Sequence, residues 1–158
     1  MKKYLVIGNP IEHSLSPKLH NHWIKENNID AVYDKKQLNE NDIEGIINEV
    51  KNGKIDGINV TIPFKKSVIP FLDKLTPIAN ETRSVNTIYK ENDNGIDVIV
   101  GNNTDVDGFK QSLEYINYNV KNKKVFILGA GGVVPSILKA LEKLKAAKVY
   151  ISNRTKEK

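Results

Sequence analysis

Apolar residues fall along the chain in two alternating rhythms: short β-branched runs, and longer stretches where they recur every three or four positions. Residues 3–8 predict a first strand. Residues 16–27 predict a helix, with Ser16 as its capping residue and Pro17 at the first helical position. Residues 31–38 predict a second strand. A helix is expected over 41–51, with Ile43, Ile46, Ile47 and Val50 on one face and Asn52-Gly53 ending it. Residues 55–62 predict a third strand, stopped by Pro63, and 64–75 and 76–83 read as short helical pieces. Strands over 85–90 and 97–101 flank Asn94-Gly95, a strong hairpin signal. Residues 103–116 predict a longer helix, with Val106, Phe109, Leu113 and Ile116 about one turn apart. After a polar connector, 124–128, 132–144 and 148–152 read as strand, helix and strand. This order implies an α/β fold with a mixed, mostly parallel sheet, the hairpin supplying its antiparallel part.

At 158 residues, a chain buries roughly two-thirds of the surface it exposes when unfolded, enough for a stable core. No apolar run approaches the ~20 residues of a membrane-spanning helix, and the N-terminus lacks a signal-peptide core. With no cysteine there are no disulfides, thiolate metal sites or thiol nucleophiles. The expectation is a cytoplasmic protein without membrane contact. A net charge of +5 invites a nucleic-acid reading. The cations are nearly all scattered lysines, with arginine only at 83 and 154, and no aromatic residues interleave with a basic stripe. Nucleic acid is therefore not the expected partner. His13, His20 and His22 do not share one helix face, so no metal site is expected either.

Val125-Phe126-Ile127-Leu128 runs into Gly129-Ala130-Gly131-Gly132, and a helix follows at once. Glycines let backbone approach a pyrophosphate, and the helix N-terminus offers free N–H groups. The turn departs from G-x-G-x-x-G because Val134 holds the third glycine position, while Pro135 falls in the first helical turn, where its missing N–H does no harm. After the next strand comes Ser152-Asn153-Arg154-Thr155, with no carboxylate to hold the ribose hydroxyl of NAD. Arg154 can instead pair with a 2′-phosphate, which favours NADP; the alternative is a surface arginine at a strand end. The expected element is a truncated Rossmann-type βαβ unit.

Three polar clusters precede it, each after a predicted strand. In the first, Ser14 and Ser16 bring two hydroxyls to a helix N-terminus, a cradle for a carboxylate, unless Ser16 is only a cap. The second, Asn59–Val60 through Lys66, places Lys65 where a lysine can serve as acid/base; otherwise it is one more solvated lysine. The third joins Ser84-Val85-Asn86-Thr87 to Gly101-Asn102-Asn103-Thr104-Asp105. Asp105 could be a helix N-terminal carboxylate and nothing more, or the partner of Lys65 in a proton-shuttling pair.

GNPIEHSLSPKLHN, NVTIPFKK, SVNT, GNNTDVDG, GAGG and NRT stand here in an order and spacing that resembles the shikimate dehydrogenases. The resemblance implies NADP-dependent, reversible oxidation of shikimate to 3-dehydroshikimate, in the route to chorismate and the aromatic amino acids. It implies that Ser14 and Ser16 hold the substrate carboxylate and that Thr61, Asn86 and Asp105 bind ring hydroxyls. Lys65 would be the acid/base, with Asp105 at its side. Gly129, Ala130, Gly131, Gly132 and Val133 would wrap the cofactor phosphates, and Asn153, Arg154 and Thr155 would take the 2′-phosphate. Lys158 stands where the family often has a second arginine. The implied division is a substrate domain over 1–103, a connecting helix over 104–118 and an incomplete NADP domain over 119–158. The family runs well past this point, carrying the nicotinamide pocket and a further substrate-binding glutamine there. The expectation is thus a truncated and inactive form that binds shikimate weakly, with a homodimer as a candidate assembly. Alternatives are a quinate/shikimate enzyme using NAD, or a non-catalytic module for a shikimate-type ligand or a partner chain.

Overall fold

Residues 1–155 are described by the computed structural model, so Lys158 lies outside the described residues. Strand β1 (Lys2–Gly8) alternates its side chains so strictly that it feeds two cores. Ile7 and Leu5 join a large cluster with Ile43, Ile46, Ile47 and Val50, while Val6 and Tyr4 join a smaller one with Ile11, Tyr33 and Ile24. The first cluster is covered by α2 (Ile43–Lys51), whose four apolar residues all fall on the buried face. The second is covered by α1 (Ser16–Glu26), a helix with no fully buried residue of its own.

β2 (Ala31–Gln37) and β3 (Gly57–Val60) flank β1 in parallel. Strand β5 (Thr87–Asp93) then adds antiparallel to β3, and β6 (Ile96–Asn102) antiparallel to β5, the hairpin turning at Asn94-Gly95 with both residues at positive φ. The short β4 (Lys74–Leu75) pairs parallel to β6, giving a six-stranded mixed sheet in the order β2-β1-β3-β5-β6-β4. Helix α3 (Pro77–Thr82) precedes β5, its N-terminus capped by Thr76.

Three expectations need correction. Residues 64–75 are not helical; they form turns, a 3₁₀ turn at Ile69–Phe71 and then β4. Phe64, Val68 and Leu72 recur like a helix face because a tight loop buries them in the main core, so the apolar period was satisfied without the helix. Helix 41–51 begins as a 3₁₀ turn at Glu40–Asp42, where Asn39 and Asp42 form a reciprocal capping box. Ser16 does not cap α1: it is already helical, and the hydroxyl of Ser14 accepts from the Ser16 N–H at 3.3 Å.

Beyond α4 (Asp105–Tyr115) lies a separate parallel pair, β7 (Lys124–Leu128) and β8 (Lys148–Ser152), connected by α5 (Val134–Lys143). Val125, Ile127 and Val149 on one face of the pair are partly buried; the other face leaves Phe126 and Leu128 exposed. Among the described residues no helix is long and apolar enough to cross a membrane.

Gly8 is where β1 touches the exit of β3. A Cβ there would stand 2.6 Å from Thr61 Cγ2 and 3.0 Å from the Ile62 carbonyl oxygen, and backbone cannot step aside cheaply. Gly8→Ala should cost about 1–3 kcal/mol of stability, the usual penalty of overpacking, read from urea unfolding.

Candidate active site and nucleotide turn

Parallel strands β1 and β3 end at the same sheet edge where antiparallel β5 begins and β6 ends. Chain segments leaving or entering there are therefore neighbours. The Asn86 carbonyl accepts from Val60 N–H at 2.8 Å, the Asn86 N–H donates to the Asn102 carbonyl at 3.0 Å, and the Lys65 carbonyl accepts from Val85 N–H at 2.8 Å. This lacing sets three side chains face to face.

Lys65 Nζ donates to Asp105 Oδ2 at 2.6 Å, the two side chains being 12% and 22% exposed. That exposure separates the pair from the surface ion pairs of this chain, which are worth little. Asp105 Oδ1 accepts from Asn86 Nδ2 at 2.9 Å, and the same amide donates to Thr104 Oγ1 at 2.8 Å. Asn86 Oδ1 in turn accepts from the Thr104 N–H at 2.9 Å. Asp105 is the first residue of α4, so its carboxylate also sits at a helix N-terminus.

The other expected site residues stand along the same edge without bonding this trio. Thr61 follows β3 directly, its N–H donating to the Ile7 carbonyl and its methyl lying against Gly8. Ser14 and Ser16 bond each other after β1, and Ser16 borders a shallow groove with Leu15, Leu19 and His22.

Sequence reading missed a polar row behind the trio. Tyr33 is buried in β2 and donates from its hydroxyl to Asn59 Oδ1 at 2.6 Å. Asn59 Nδ2 reaches Thr87 Oγ1 and the Asn86 carbonyl, both at 3.3 Å, and Thr87 donates to Asn86 Oδ1 at 3.0 Å. Asn21 brackets the backbone of Tyr33 on the free edge of the sheet, donating to its carbonyl and accepting from its N–H. The ring of His20 stacks on Tyr33 with centroids 4.1 Å apart, and burial pushes its imidazole below the usual histidine range. Asn59, immediately before Val60-Thr61, carried a signal in its polarity within a buried strand. Tyr33 carried none until β2 was placed beside β1.

The glycine turn sits on the second unit. Gly129 has φ +98°, and its N–H donates to the Ser152 carbonyl at 2.7 Å. Ala130 N–H donates to Asn153 Oδ1 at 3.2 Å, and Asn153 Nδ2 reaches the Thr155 carbonyl at 2.7 Å. α5 opens at Val134 with no side-chain cap and no acidic residue in its first turn; Pro135 has no N–H, and the Val134 and Ser136 N–H groups donate to the Gly131 and Val133 carbonyls, both at 3.0 Å. Between this turn and the first unit lies a cleft of about 1020 Å³, bordered by Ile62, Pro63 and Lys66 on one side and Gly131, Gly132 and Asn153 on the other. Lys66 faces this cleft, whereas its neighbour Lys65 is committed to Asp105. Arg154 is exposed at the end of β8.

Burial pushes the Tyr33 hydroxyl up to about 12 from its ordinary value of 10.0. The fold thus favours the neutral phenol. Its contribution to stability is whole below the unfolded value of 10.0 and is lost as pH rises from there toward about 12. Urea midpoints measured between about pH 9 and 12 should fall less steeply in Tyr33→Phe than in the parent chain.

Comparison with known proteins gives these features a common origin. The chain is 56% identical over 157 residues to a shikimate dehydrogenase (NADP(+)) of Pelagibacter ubique, covering 99% of this chain and 58% of that protein. It superposes on the crystal structure of shikimate dehydrogenase from Aquifex aeolicus with a TM-score of 0.89 at 41% identity, over 99% of this chain and 57% of that one. A Thermus thermophilus shikimate 5-dehydrogenase in complex with NADP(H) and shikimate matches with a TM-score of 0.87 at 29% identity, over 99% and 57%. The chain spans less than two-thirds of the length of each of these relatives. The family model for the shikimate dehydrogenase substrate binding domain matches residues 6–88, which include the exits of both β1 and β3. By that match over half its length, the chain belongs to the shikimate dehydrogenase family.

Proposed function

We propose that this chain carries the substrate-binding half, and the start of the nucleotide unit, of an NADP-dependent enzyme that interconverts shikimate and 3-dehydroshikimate. The half-buried Lys65–Asp105 pair carries the reading. Oxidising a secondary alcohol to a ketone releases a hydride from carbon and a proton from oxygen. A lysine–carboxylate pair held at 2.6 Å can take that proton and, in the reverse direction, return it to the forming alkoxide. Asp105 and Asn86 present further polar atoms to ring hydroxyls, with Thr61 beside them, and Ser14 and Ser16 receive the carboxylate. A relative of 29% identity is crystallised with NADP(H) and shikimate, which supports this choice of substrate and cofactor.

The nucleotide turn fits the phosphates of NADP. Gly129, Ala130, Gly131, Gly132 and Val133 would wrap the phosphates: the Gly129 and Ala130 N–H groups fix the turn to Ser152 and Asn153, and an added Cβ at Gly131 would meet only open space. Asn153, Arg154 and Thr155 would receive the 2′-phosphate, with Arg154 supplying the charge. When bound, the nicotinamide accepts the hydride. The domain division follows: substrate binding over 1–103, a connecting helix over 104–118 and nucleotide binding from 119 onward. The exposed face carrying Phe126 and Leu128 is the part of the second unit that a further element or a second copy would shelter, which keeps a homodimer in this reading.

The test is a cofactor-dependent assay on a chain carrying the complete nucleotide unit, followed at the NADPH absorbance band. No turnover of shikimate with NADP⁺ would remove the reading. In that assay Lys65→Ala should lower kcat by about 10²–10⁴-fold, with a much smaller change in shikimate affinity. Arg154→Ala should weaken NADP by roughly 1.5–3 kcal/mol and leave NAD nearly unaffected, since NAD offers no phosphate there. Titration calorimetry with each cofactor reads the difference.

A further inference from the structure

Asn103 is 2% exposed and uses both ends of its side-chain amide. Its Oδ1 accepts from the N–H of Asp105 at 3.0 Å and from the N–H of Val106 at 3.3 Å. These are among the donors that the start of α4 leaves without a helical partner. Thr104 stands at the formal cap position and makes no side-chain cap bond, so Asn103 caps the helix from one residue earlier. The opposite end of the amide, Nδ2, donates to the Ser84 carbonyl at 2.8 Å, to Ser136 Oγ at 2.8 Å and to Thr82 Oγ1 at 3.2 Å. Ser136 is itself fully buried and lies in the first turn of α5, directly after the glycine turn. Ser84 begins the segment that carries Asn86.

We propose that Asn103 is a positioning residue that aims Asp105 at Lys65 and ties the nucleotide-turn helix to the same point. It rests on reading Asp105 as the partner of the acid/base. The geometry leaves little freedom elsewhere. Asp105 reaches Lys65 with one carboxylate oxygen and Asn86 with the other, so a small rotation of the first turn of α4 would break both contacts. Beside the Asn86 oxygen on the Thr104 N–H, the Asn103 oxygen restrains that turn at the N–H groups of Asp105 and Val106. The same side chain, through Ser136, adds a buried polar tie to the packing of α5 on α4 that places the glycine turn relative to the Lys65–Asp105 pair. Only one surface ion pair, Glu81 with Lys139 at 3.0 Å, links α3 to α5 beside it among the described residues. An apolar residue of equal size would fill the space and provide neither restraint.

The test needs no ligand. In the 158-residue chain, NMR should show a scalar coupling from the Asp105 amide nitrogen to the Asn103 side-chain carbonyl, and a slowly exchanging Lys65 ammonium signal. Asn103→Leu keeps the volume and removes the acceptor. It should speed exchange of the Asp105 and Val106 amides by about 3- to 30-fold, the range a lost cap acceptor gives, and broaden away the Lys65 signal. Asn103→Asp, which restores an acceptor oxygen, should bring both back toward the parent. Ser136→Ala should leave Asp105 exchange within about twofold while speeding the first turn of α5. Parent-like exchange and an intact Lys65 signal in Asn103→Leu would reduce the residue to packing and overturn the proposal. Should Asn103→Leu not fold, absence of the scalar coupling in the parent chain overturns it equally. Failure of a chain carrying the complete nucleotide unit to turn over shikimate would overturn the functional reading instead and leave these readouts unchanged.

Discussion

Two opposite charges forty residues apart in the chain meet at 2.6 Å in a half-buried setting, and the arrangement of the sheet edge follows from that meeting. Removing an ammonium and a carboxylate from water is costly, and their mutual attraction repays it only when the remaining lone pairs and protons are satisfied. Asn86 meets the second carboxylate oxygen, Thr104 holds Asn86 from both ends of its amide, and the start of α4 adds a favourable field. Each supporting group is polar, uncharged and fixed to backbone.

The sheet provides the frame because its strand directions change at β3. Parallel β1 and β3 deliver their C-terminal loops to one edge, and the antiparallel hairpin brings the start of β5 and the end of β6 to the same edge. Ligand sites in α/β sheets collect at carboxyl ends of strands near such changes of order. The core beneath is deep enough to make this edge stiff, with Ile7, Ile43, Val68, Val85 and Ile88 fully buried. On the other face, Tyr33 extends the stiffness into a polar row through Asn59 and Thr87 to Asn86.

The second unit differs in character. Its two strands are covered on one side only, and a parallel pair ordinarily needs both faces covered. What it brings to the site is local: a glycine at positive φ, an uncapped helix start and an asparagine that staples the turn to β8. Its placement against the first unit rests on the packing of α5 against α4 and α3, within which the buried amide of Asn103 meets Ser136.

Much of this was legible in the residues. β1, β2, α1, the hairpin, and the βαβ order of the second unit follow from apolar period and turn chemistry, which act over a few residues and leave local traces. The residues of the candidate site left traces too: Lys65 and Asp105 each stand shortly after a predicted strand, and Asn86 at the start of one. The loop at 64–75 was not, because its apolar spacing serves a core that only the folded sheet creates. Nor were Tyr33 and Asn103 legible as partners of the site. A buried tyrosine or asparagine looks the same in sequence whether it fills space or completes a network. What decides between them is which strand lies beside which, and that is set by pairing across tens of residues. The sequence by itself determined the elements and the chemistry each could offer. Tertiary structure alone decided which of those groups meet, because hydrogen bonds and ion pairs form between atoms a few ångströms apart, however far apart they are along the chain.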